Sequence, residues 1–272
     1  MKNTEINWST HTFNPWHGCT QVSPGCTHCY AKRQDARKQH DTVTHWGKGA
    51  PRMRLLDSYW RQPLAWDRAA ARAGERHRVF CASMADWCDD EGLADERDQL
   101  FELIRMTPHL DWLLLTKRAD SIEKYLPDDW GNGYPNVWLG VTVEDRKHGL
   151  PRIDVLRKIP AVVRFLSIEP LLEDLGEIDL TEIHWVIIGG ESGPGARPFD
   201  IQWAKSIIDQ CSQFGAAPWM KQLGAKPVES GMQIKIIGQN GRLSGHADKP
   251  NEWLDHLGHL NMRYLPCLNL IS

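Results

Sequence analysis

The chain lacks several features that would place it in a common protein class. No apolar run approaches the roughly 20 residues that a membrane-spanning helix needs. The first residues do not have the charged-then-apolar layout of a signal peptide. Internal repeats, low-complexity tracts and Gly/Ser linkers are also missing. We therefore expect a cytoplasmic globular protein.

A disulfide framework and a strong charge of one sign are missing too. The seven cysteines are an odd number, and without an export signal they point to metal ligation or thiol chemistry instead of disulfides. The net charge of −3 indicates no gross electrostatic partner. What the chain has is length and apolar content, with 272 residues of which 41% are hydrophobic. That is enough for one large domain with a proper core.

The charge is unevenly distributed, and two interpretations of this remain open. Between Tyr30 and Arg78 there are twelve Lys and Arg against five Asp and Glu, a local excess of +7. We call residues 30–78 the basic sector. The aromatic residues Trp46, Tyr59, Trp60 and Trp66 lie among these charges. This composition fits a surface that binds a nucleic acid or nucleotide. It also fits a solvated helical face beside half-buried aromatics.

After residue 75 the chain alternates short apolar runs with amphipathic stretches. The runs are His77–Ser83, Leu110–Thr116, Asn136–Thr142, Val162–Ser167, His184–Gly189 and Ala216–Lys221. The stretches Ala94–Met106, Ala119–Tyr125, Glu144–Lys158 and Ile201–Phe214 have helical spacing. Strands alternating with helices predict parallel βα units. We therefore predict an α/β fold, a partial or full parallel βα barrel of the TIM type over residues 1–225, with residues 226–272 as an extension or cap.

Polar residues follow almost every predicted strand. These residues are Ser83 and Asp86, Lys117, Thr142 and Glu144, Ser167 and Glu169, Gly190 and Glu191, and Lys221 and Gln222. In parallel α/β folds the carboxyl ends of the strands carry the functional site. Any one of these residues could instead cap the next helix, as Asp86 could. Six such clusters together predict a shared polar site.

Three cysteines are close together in the sequence, in a C-x6-C-x2-C pattern formed by Cys19, Cys26 and Cys29. The Pro24-Gly25 turn lets the chain fold back, so that all three thiols can reach one metal centre. The loop follows a first strand predicted in Asn7–Phe13 and precedes a predicted helix, Tyr30–Gln39. A [4Fe–4S] cluster with three cysteine ligands would leave one iron open. A Cys3His zinc site completed by His17 or His28 is the alternative.

Several motifs carry a resemblance to known families. The segment Trp8–Tyr30, the segment Ser167–Leu171, the GGESGPGARP stretch at Gly189–Pro198 and the Lys221-Gln222 pair resemble a phage and bacterial family of unknown function that is regarded as radical-SAM-like. More broadly, a three-cysteine loop before a βα barrel is similar to the radical S-adenosylmethionine (SAM) superfamily. The resemblance covers roughly residues 5–225.

The resemblance implies a cofactor and a set of site residues. Cys19, Cys26 and Cys29 would hold a [4Fe–4S] cluster, and SAM would chelate the open iron. The residues that would contact the cofactor are His28, Ser83, Asp86, Thr142, Glu144, Ser167, Glu169, Gly189, Gly190 and Glu191. The substrate would meet Lys117, Arg197, Lys221 and Gln222. A flavodoxin-like or ferredoxin-like electron donor is the implied partner.

Three functions follow, in order of preference. The first is a radical SAM enzyme that acts on a nucleobase or nucleotide, in phage-related DNA modification or repair. The second is a zinc-stabilised nucleic-acid-binding protein without radical chemistry. The third is hydrolysis by Glu144, Glu169 and Glu191 as acid and base, although no paired-carboxylate spacing singles them out.

Overall fold

A computed structural model describes residue 4 and residues 6–38, 44–234 and 262–266. The strands in chain order are β1 (His11–Thr12), β2 (Trp16–His17), β3 (Met53–Arg54), β4 (His77–Cys81), β5 (Leu110–Thr116), β6 (Val137–Thr142), β7 (Val163–Ile168), β8 (Trp185–Gly189), β9 (Phe199–Asp200), β10 (Ala217–Gln222), β11 (Pro227–Glu229) and β12 (Met232–Gln233). The helices are α1 (Tyr30–Lys38), α2 (Asp57–Trp60), α3 (Gln62–Ala73), α4 (Ala94–Arg105), α5 (Ile122–Tyr125), α6 (Leu150–Lys158) and α7 (Ile201–Phe214). Single 3-10 turns span Pro24–Cys26 and Ala119–Ser121.

The main sheet has seven strands in the order β1-β4-β5-β6-β7-β8-β10 and forms a partial barrel. Consecutive strands lie next to each other because a helix or loop returns the chain to the same side each time. The α/β prediction of parallel βα units is confirmed. Each of the six apolar runs matches a strand of this sheet to within two residues at either end.

Two predicted elements differ from what the structure shows. The helix predicted from Glu144 begins only at Leu150, because residues 145–149 form a turn in which Asp145 accepts a hydrogen bond from His148 N at 2.6 Å. The first strand is short, only His11–Thr12, and β2 lies between it and the cysteine loop. The helix predicted after the loop is present as α1.

The chain divides into two compact units. The first comprises Met1–Val141 and Lys158–Val163, and the second Thr142–Arg157 and Arg164–Ser272. The predicted boundary between residues 225 and 226 stays a prediction. Beyond it, β11 pairs with β9 and β12, while most of the predicted cap, including Gln239–Gly241, lies outside the described residues.

The core of the first unit is strongly aromatic. Phe13 is fully buried and stacks on Tyr59, with the ring edges of Trp60 and Trp112 against it at centroid distances of 5.0 and 5.5 Å. Burying each such ring contributes about 1.5–3 kcal/mol. This packing stabilises the amino-terminal segment directly before the cysteine loop.

The core of the second unit lies between its strands and α7. Apolar residues recur along α7 at helical spacing, and the buried ones are Ile201, Ala204, Ile207, Ile208 and Cys211. Asp200 caps the helix by accepting a hydrogen bond from Gln202 N at 2.9 Å, and Gly215 ends it with φ +74°. The predicted helix Ile201–Phe214 is therefore present with the same bounds. No helix in the described ranges is long and apolar enough to cross a membrane.

Candidate functional site

Gly18 fixes the start of the cysteine loop against the end of β4. Its backbone N–H donates to Met84 O at 3.0 Å, and its φ of +112° favours glycine. A Cβ at this position would lie 2.3 Å from His45 O. The next residue, Cys19, pairs with Trp46 and accepts a hydrogen bond from Gly47 N at 3.0 Å. The contacts of Gly18 with Met84 and of Cys19 with Trp46 and Gly47 therefore fix the position of Cys19.

A tight helical turn carries the other two cysteines. Ser23 accepts a hydrogen bond from Cys26 N, and Pro24 fixes φ at the first position of the 3-10 turn. Cys29 N then donates to Cys26 O at 3.3 Å, and α1 starts at the following residue. Residues three apart on such a turn share a face. Cys29 also lies at a helix N-terminus, where unpaired N–H groups favour negative charge.

An arginine that follows β5 reaches the first cysteine. Nη1 of Arg118 donates to Cys19 Sγ at 3.5 Å, and Nη2 donates to Thr20 O at 2.7 Å. The guanidinium is also paired with Asp86 at 3.0 Å and with Asp89 at 3.2 Å. The Arg118 side chain is 9% exposed. The polar group next to Cys19 is thus a buried, doubly paired cation.

A second buried arginine completes this cluster. Arg52 has a fully buried side chain, and its Nε donates to Asp89 Oδ2 at 2.8 Å. Its Nη2 donates to Thr20 Oγ1 and to Glu91 Oε2 at 2.7 and 2.8 Å. We call Arg52, Asp86, Asp89 and Arg118 the arginine–aspartate cluster. Since all its donors are used within the fold, Arg52 does not contribute to a phosphate-binding surface.

The Cys19 thiol is neutral without a metal. Burial first, and then Asp86, raise its pKa to about 12, and the nearby Arg118 opposes this only in part. A metal that binds this sulfur must displace a proton. Soft thiolates suit iron–sulfur chemistry and zinc alike.

The three thiols fit a multi-iron cluster through the chemistry of their donors. Cys19, Cys26 and Cys29 are all half-buried, belong to one loop and lie in the same unit. Each cysteine of a [4Fe–4S] cluster binds a different iron, so the sulfurs need not converge on one point. Within the described ranges, no three His, Cys, Asp or Glu side chains are close enough together for a single ion.

The predicted cofactor residues of the first unit lie around this loop. The Tyr30 hydroxyl donates to Ser83 O at 2.9 Å, which ties the start of α1 to the end of β4. Asp86 accepts hydrogen bonds from Thr116 Oγ1 at 2.6 Å and from Lys117 N at 3.0 Å. His28 is half-buried within the loop itself. The structure therefore brings Ser83, Asp86 and Lys117 close to the cysteine loop.

In the second unit, the residues that follow β6 are engaged with each other. Glu144 is fully buried, and its Oε2 accepts from Arg152 Nη1 at 2.6 Å. The same nitrogen donates to Thr142 O at 2.7 Å. Ser167 is buried and accepts from Val143 N through its carbonyl. The Glu144 carboxylate is thus neutralised by an arginine.

The residues that follow β7 and β10 form a second polar group. Lys221 Nζ donates to both Glu169 oxygens, at 2.5 and 2.7 Å, and Gln222 Nε2 donates to Glu169 Oε1 at 2.9 Å. Gln222 also donates to Gly190 O at 3.0 Å. The Lys221 and Glu169 side chains are 22% and 17% exposed. We call Glu169, Lys221 and Gln222 the lysine–glutamate group.

The Gly-Gly-Glu segment packs against the loop that follows β10. A Cβ on Gly190 would lie 2.5 Å from Leu223 O, so this position requires glycine. At Gly189 the nearest atoms are Glu169 Cγ and Gln222 Cγ, at 3.3 and 3.4 Å. The first glycine thus lies against the lysine–glutamate group, and the second allows the two loops to approach.

The last residue of that segment is neutralised by an arginine from the same stretch. Glu191 is buried, and its carboxylate accepts hydrogen bonds from the backbone N, the Nε and the Nη2 of Arg197, at 3.0, 3.0 and 2.6 Å. The acidic and basic members of the GGESGPGARP stretch therefore close it on itself. Glu191 has no free carboxylate of the kind that acid–base hydrolysis would need.

Sequence reasoning missed three residues of the arginine–aspartate cluster. Arg118 stands directly after Lys117, which is a predicted site residue. Asp89 lies beyond the predicted strand end, and Arg52 is one of the twelve Lys and Arg of the basic sector. The signal that could have found Arg118 is its position immediately after a strand.

A family model described as "Protein of unknown function (DUF5131)" matches residues 3–249. The chain belongs to the DUF5131 family. That description states no activity. None of the curated proteins matches this DUF5131 chain.

Solved structures of spore photoproduct lyase variants are similar to this DUF5131 chain. A cysteine-to-serine variant has 14% identity and a TM-score of 0.52, with 80% of this chain and 78% of that chain covered. A variant with bound AdoMet and dinucleoside spore photoproduct has 14% identity and a TM-score of 0.45, and the match covers 69% of this chain and 59% of that chain. This DUF5131 chain thus spans less than two thirds of that second protein. The structural neighbours are radical SAM enzymes, and the likeness to the cysteine-to-serine variant shows a shared fold.

Proposed function

We propose that this chain is a radical SAM enzyme in which Cys19, Cys26 and Cys29 hold a [4Fe–4S] cluster. The observation that carries the proposal is one loop with three half-buried thiols, fixed by Gly18 and by the start of α1, at the end of β4 in a radical-SAM-like fold. When bound and reduced by an external one-electron donor, the cluster would supply the electron for reductive cleavage of SAM, and thereby for hydrogen abstraction from substrate.

The residues of the first unit have distinct roles in this proposal. The three cysteines bind the irons, and the N-terminus of α1 favours the negative charge of the cluster. Ser83 and Asp86 bind the polar parts of SAM, with His28 beside it. Asp86 already accepts from Thr116, Lys117 and Arg118, so these neighbours fix the carboxylate that would contact SAM.

The residues of the second unit remain part of the proposal at a coarser level. We assign cofactor contacts to Thr142, Glu144, Ser167, Glu169, Gly189, Gly190 and Glu191, and substrate contacts to Lys117, Arg197, Lys221 and Gln222. The lysine–glutamate group is the best suited of these, because both of its charged side chains are partly exposed. We also propose that the GGESGPGARP stretch is a signature of a phage family.

A nucleobase or nucleotide substrate, in phage-related DNA modification or repair, is the further part of the proposal. One observation supports it: Arg68 and Arg72 are exposed and lie four residues apart, so they share one face of α3, and the exposed Arg61 directly precedes that helix. The spore photoproduct lyase structure with bound dinucleoside photoproduct is a neighbour of the same fold class. A flavodoxin-like or ferredoxin-like electron donor and a cytoplasmic location stay predictions.

Anaerobic reconstitution tests the proposal. The protein should take up about four irons, show the absorbance near 400 nm expected of such clusters, and produce 5′-deoxyadenosine from SAM when reduced. Cys26→Ala should lose both properties. Cys211→Ala, which removes a buried thiol from α7, is the matched control and should keep them.

Two outcomes would contradict the proposal. Iron uptake without 5′-deoxyadenosine above the Cys26→Ala level would remove the SAM chemistry and leave the cluster. Colourless protein with about one zinc would support the Cys3His alternative, with His17 or His28 as the fourth ligand.

A further inference from the structure

Arg118 is held in one orientation beside Cys19 by contacts on both of its terminal nitrogens. Nη1 lies 3.5 Å from Cys19 Sγ and 3.0 Å from Asp86 Oδ2. Nη2 lies 2.7 Å from Thr20 O and 3.2 Å from Asp89 Oδ1. A planar guanidinium with both ends bound cannot rotate away from the sulfur. The hydrogen bond to Cys19 is therefore built into the fold.

The carboxylates that hold Arg118 are themselves fixed. Asp86 accepts from Thr116 Oγ1, Lys117 N and Cys88 N, all within 3.0 Å. Asp89 is bound on its other oxygen by the fully buried Arg52. Two arginines and two aspartates leave the arginine–aspartate cluster with no net charge. Such a neutral, fully paired arrangement keeps Arg118 charged in a buried place.

A charged donor at a cluster sulfur changes the redox properties of the metal. Reduction adds an electron whose charge is partly carried by the cysteine sulfurs, and an N–H group pointing at a sulfur stabilises that state. Burial strengthens the effect, because the dielectric screening is weak there. The neighbouring cation, Lys117, makes its contact with Asp86 through the backbone N and not through its charged side chain.

We propose that Arg118 is a positioning residue that orients the Cys19 sulfur and raises the reduction potential of the cluster. This inference rests on the proposed function, since it needs a cluster at Cys19. It assigns a role to the residue after β5 that the sequence-based site did not include.

The test measures the midpoint potential of the reconstituted cluster in a redox titration followed by electron paramagnetic resonance. Arg118→Met removes the donor and leaves Asp86 without its ion-pair partner, while Asp89 keeps Arg52. We expect it to shift the reduction equilibrium at least about tenfold toward the oxidised cluster, which is about 59 mV for one electron. Arg118→Lys keeps the positive charge but loses the bidentate fork, so its midpoint potential should lie between those of the wild type and Arg118→Met.

The matched control is Arg97→Met. Arg97 is also a buried arginine of the first unit, and its Nε and Nη2 donate to Trp87 O and Asp89 O, at 2.9 and 2.8 Å. Removing it costs comparable packing, yet the potential should stay at the wild-type value. Iron content and circular dichroism are measured on every variant first.

The outcomes separate the two ideas. If the wild type takes up no iron, the proposed function fails, and the role of Arg118 fails with it. If iron is bound but the Arg118→Met and Arg97→Met potentials both equal the wild-type value, only the role of Arg118 is wrong. If Arg118→Met does not fold, a wild-type potential in Arg118→Lys overturns the inference.

Discussion

His11 is a fully buried side chain that packs between an aromatic ring and a second histidine. Its ring stacks on Trp66 at a centroid distance of 4.3 Å and an interplanar angle of 2°, and its Nε2 lies 3.1 Å from His77 Nδ1. Burial first, and then the charge on His77, lower the pKa of His11 to about 4. The side chain is therefore neutral in the folded protein at pH 7.

This lowered pKa predicts a pH-dependent stability. Between about pH 6.5 and pH 4 the unfolded chain binds a proton at His11 and the folded chain does not, so the free energy of unfolding falls as the pH falls through that window. The slope from this one group is at most about 1.4 kcal/mol per pH unit. Urea unfolding at pH 7, 5.5 and 4.5 should show a shallower dependence in His11→Gln. Parallel curves for the two proteins would contradict the prediction.

The buried pair of Glu144 and Arg152 predicts a non-additive mutational effect. Arg152→Met leaves a fully buried carboxylate without its partner, and we expect a loss of about 3–5 kcal/mol in the free energy of unfolding. The double variant Glu144→Gln/Arg152→Met removes both charges and should be more stable than the Arg152→Met single variant. Denaturant midpoints of the four proteins give the coupling energy. A double variant as unstable as the sum of the two single ones would show that the pair does not interact.

Among the elements, the cysteine loop depends on a glycine at its start. Gly18 and Gly47 have nearly the same backbone conformation, with φ of +112° and +116°, but only at Gly18 would a Cβ clash. Gly18→Ala should therefore lower the free energy of unfolding by well over the about 1 kcal/mol expected from backbone strain alone. It should also lower iron uptake. Gly47→Ala carries the same backbone strain in open space. Iron content per chain and melting temperature check this, and equal losses in the two variants would refute the steric explanation.

The elements that could be predicted are those with a clear period or spacing. α7 and β5 have the predicted bounds because their apolar residues recur at helical spacing or form a continuous run. Strands of two residues, such as β2, β3 and β9, carry no period and were missed. The same reason applies to the site. The cysteine loop is contiguous, so its spacing alone predicts it as a site, whereas Arg118 and Cys19 are 99 residues apart and meet only in the folded chain.

In the basic sector, too, the amino-acid composition does not show which side chains are buried and which are exposed. Three of its four aromatic residues pack against the core: Trp60 is buried, Tyr59 stacks on Phe13 and Trp66 stacks on His11. Base stacking at this surface stays a prediction. Arg52 is buried as well and adds nothing to a surface for an anionic partner, whereas Arg68 and Arg72 of α3 are exposed, as are Lys32, Arg37, Lys48 and Arg61.

For the molecule as a whole, the cluster should act as a stabilising ligand. A group that binds only the folded chain raises the free energy of unfolding with its occupancy. The reconstituted wild type should melt at a higher temperature than the metal-free protein under the same anaerobic conditions, and Cys26→Ala should show no such difference. Differential scanning fluorimetry measures both. An equal shift in Cys26→Ala would mean that iron binds elsewhere.

The distribution of thiols over the molecule determines how air damages it. Burial raises the pKa of Cys81, Cys88 and Cys211 above that of an ordinary thiol, so these three resist oxidants that attack the thiolate. Of the six cysteines in the described ranges, those of the loop are the accessible ones. Sulfenic acids and mixed disulfides should therefore form first at Cys26 and Cys29. A protein stored in air would lose the proposed cluster ligands by lesions confined to one short peptide, and a reductant could restore them as long as oxidation had stopped at that reversible stage.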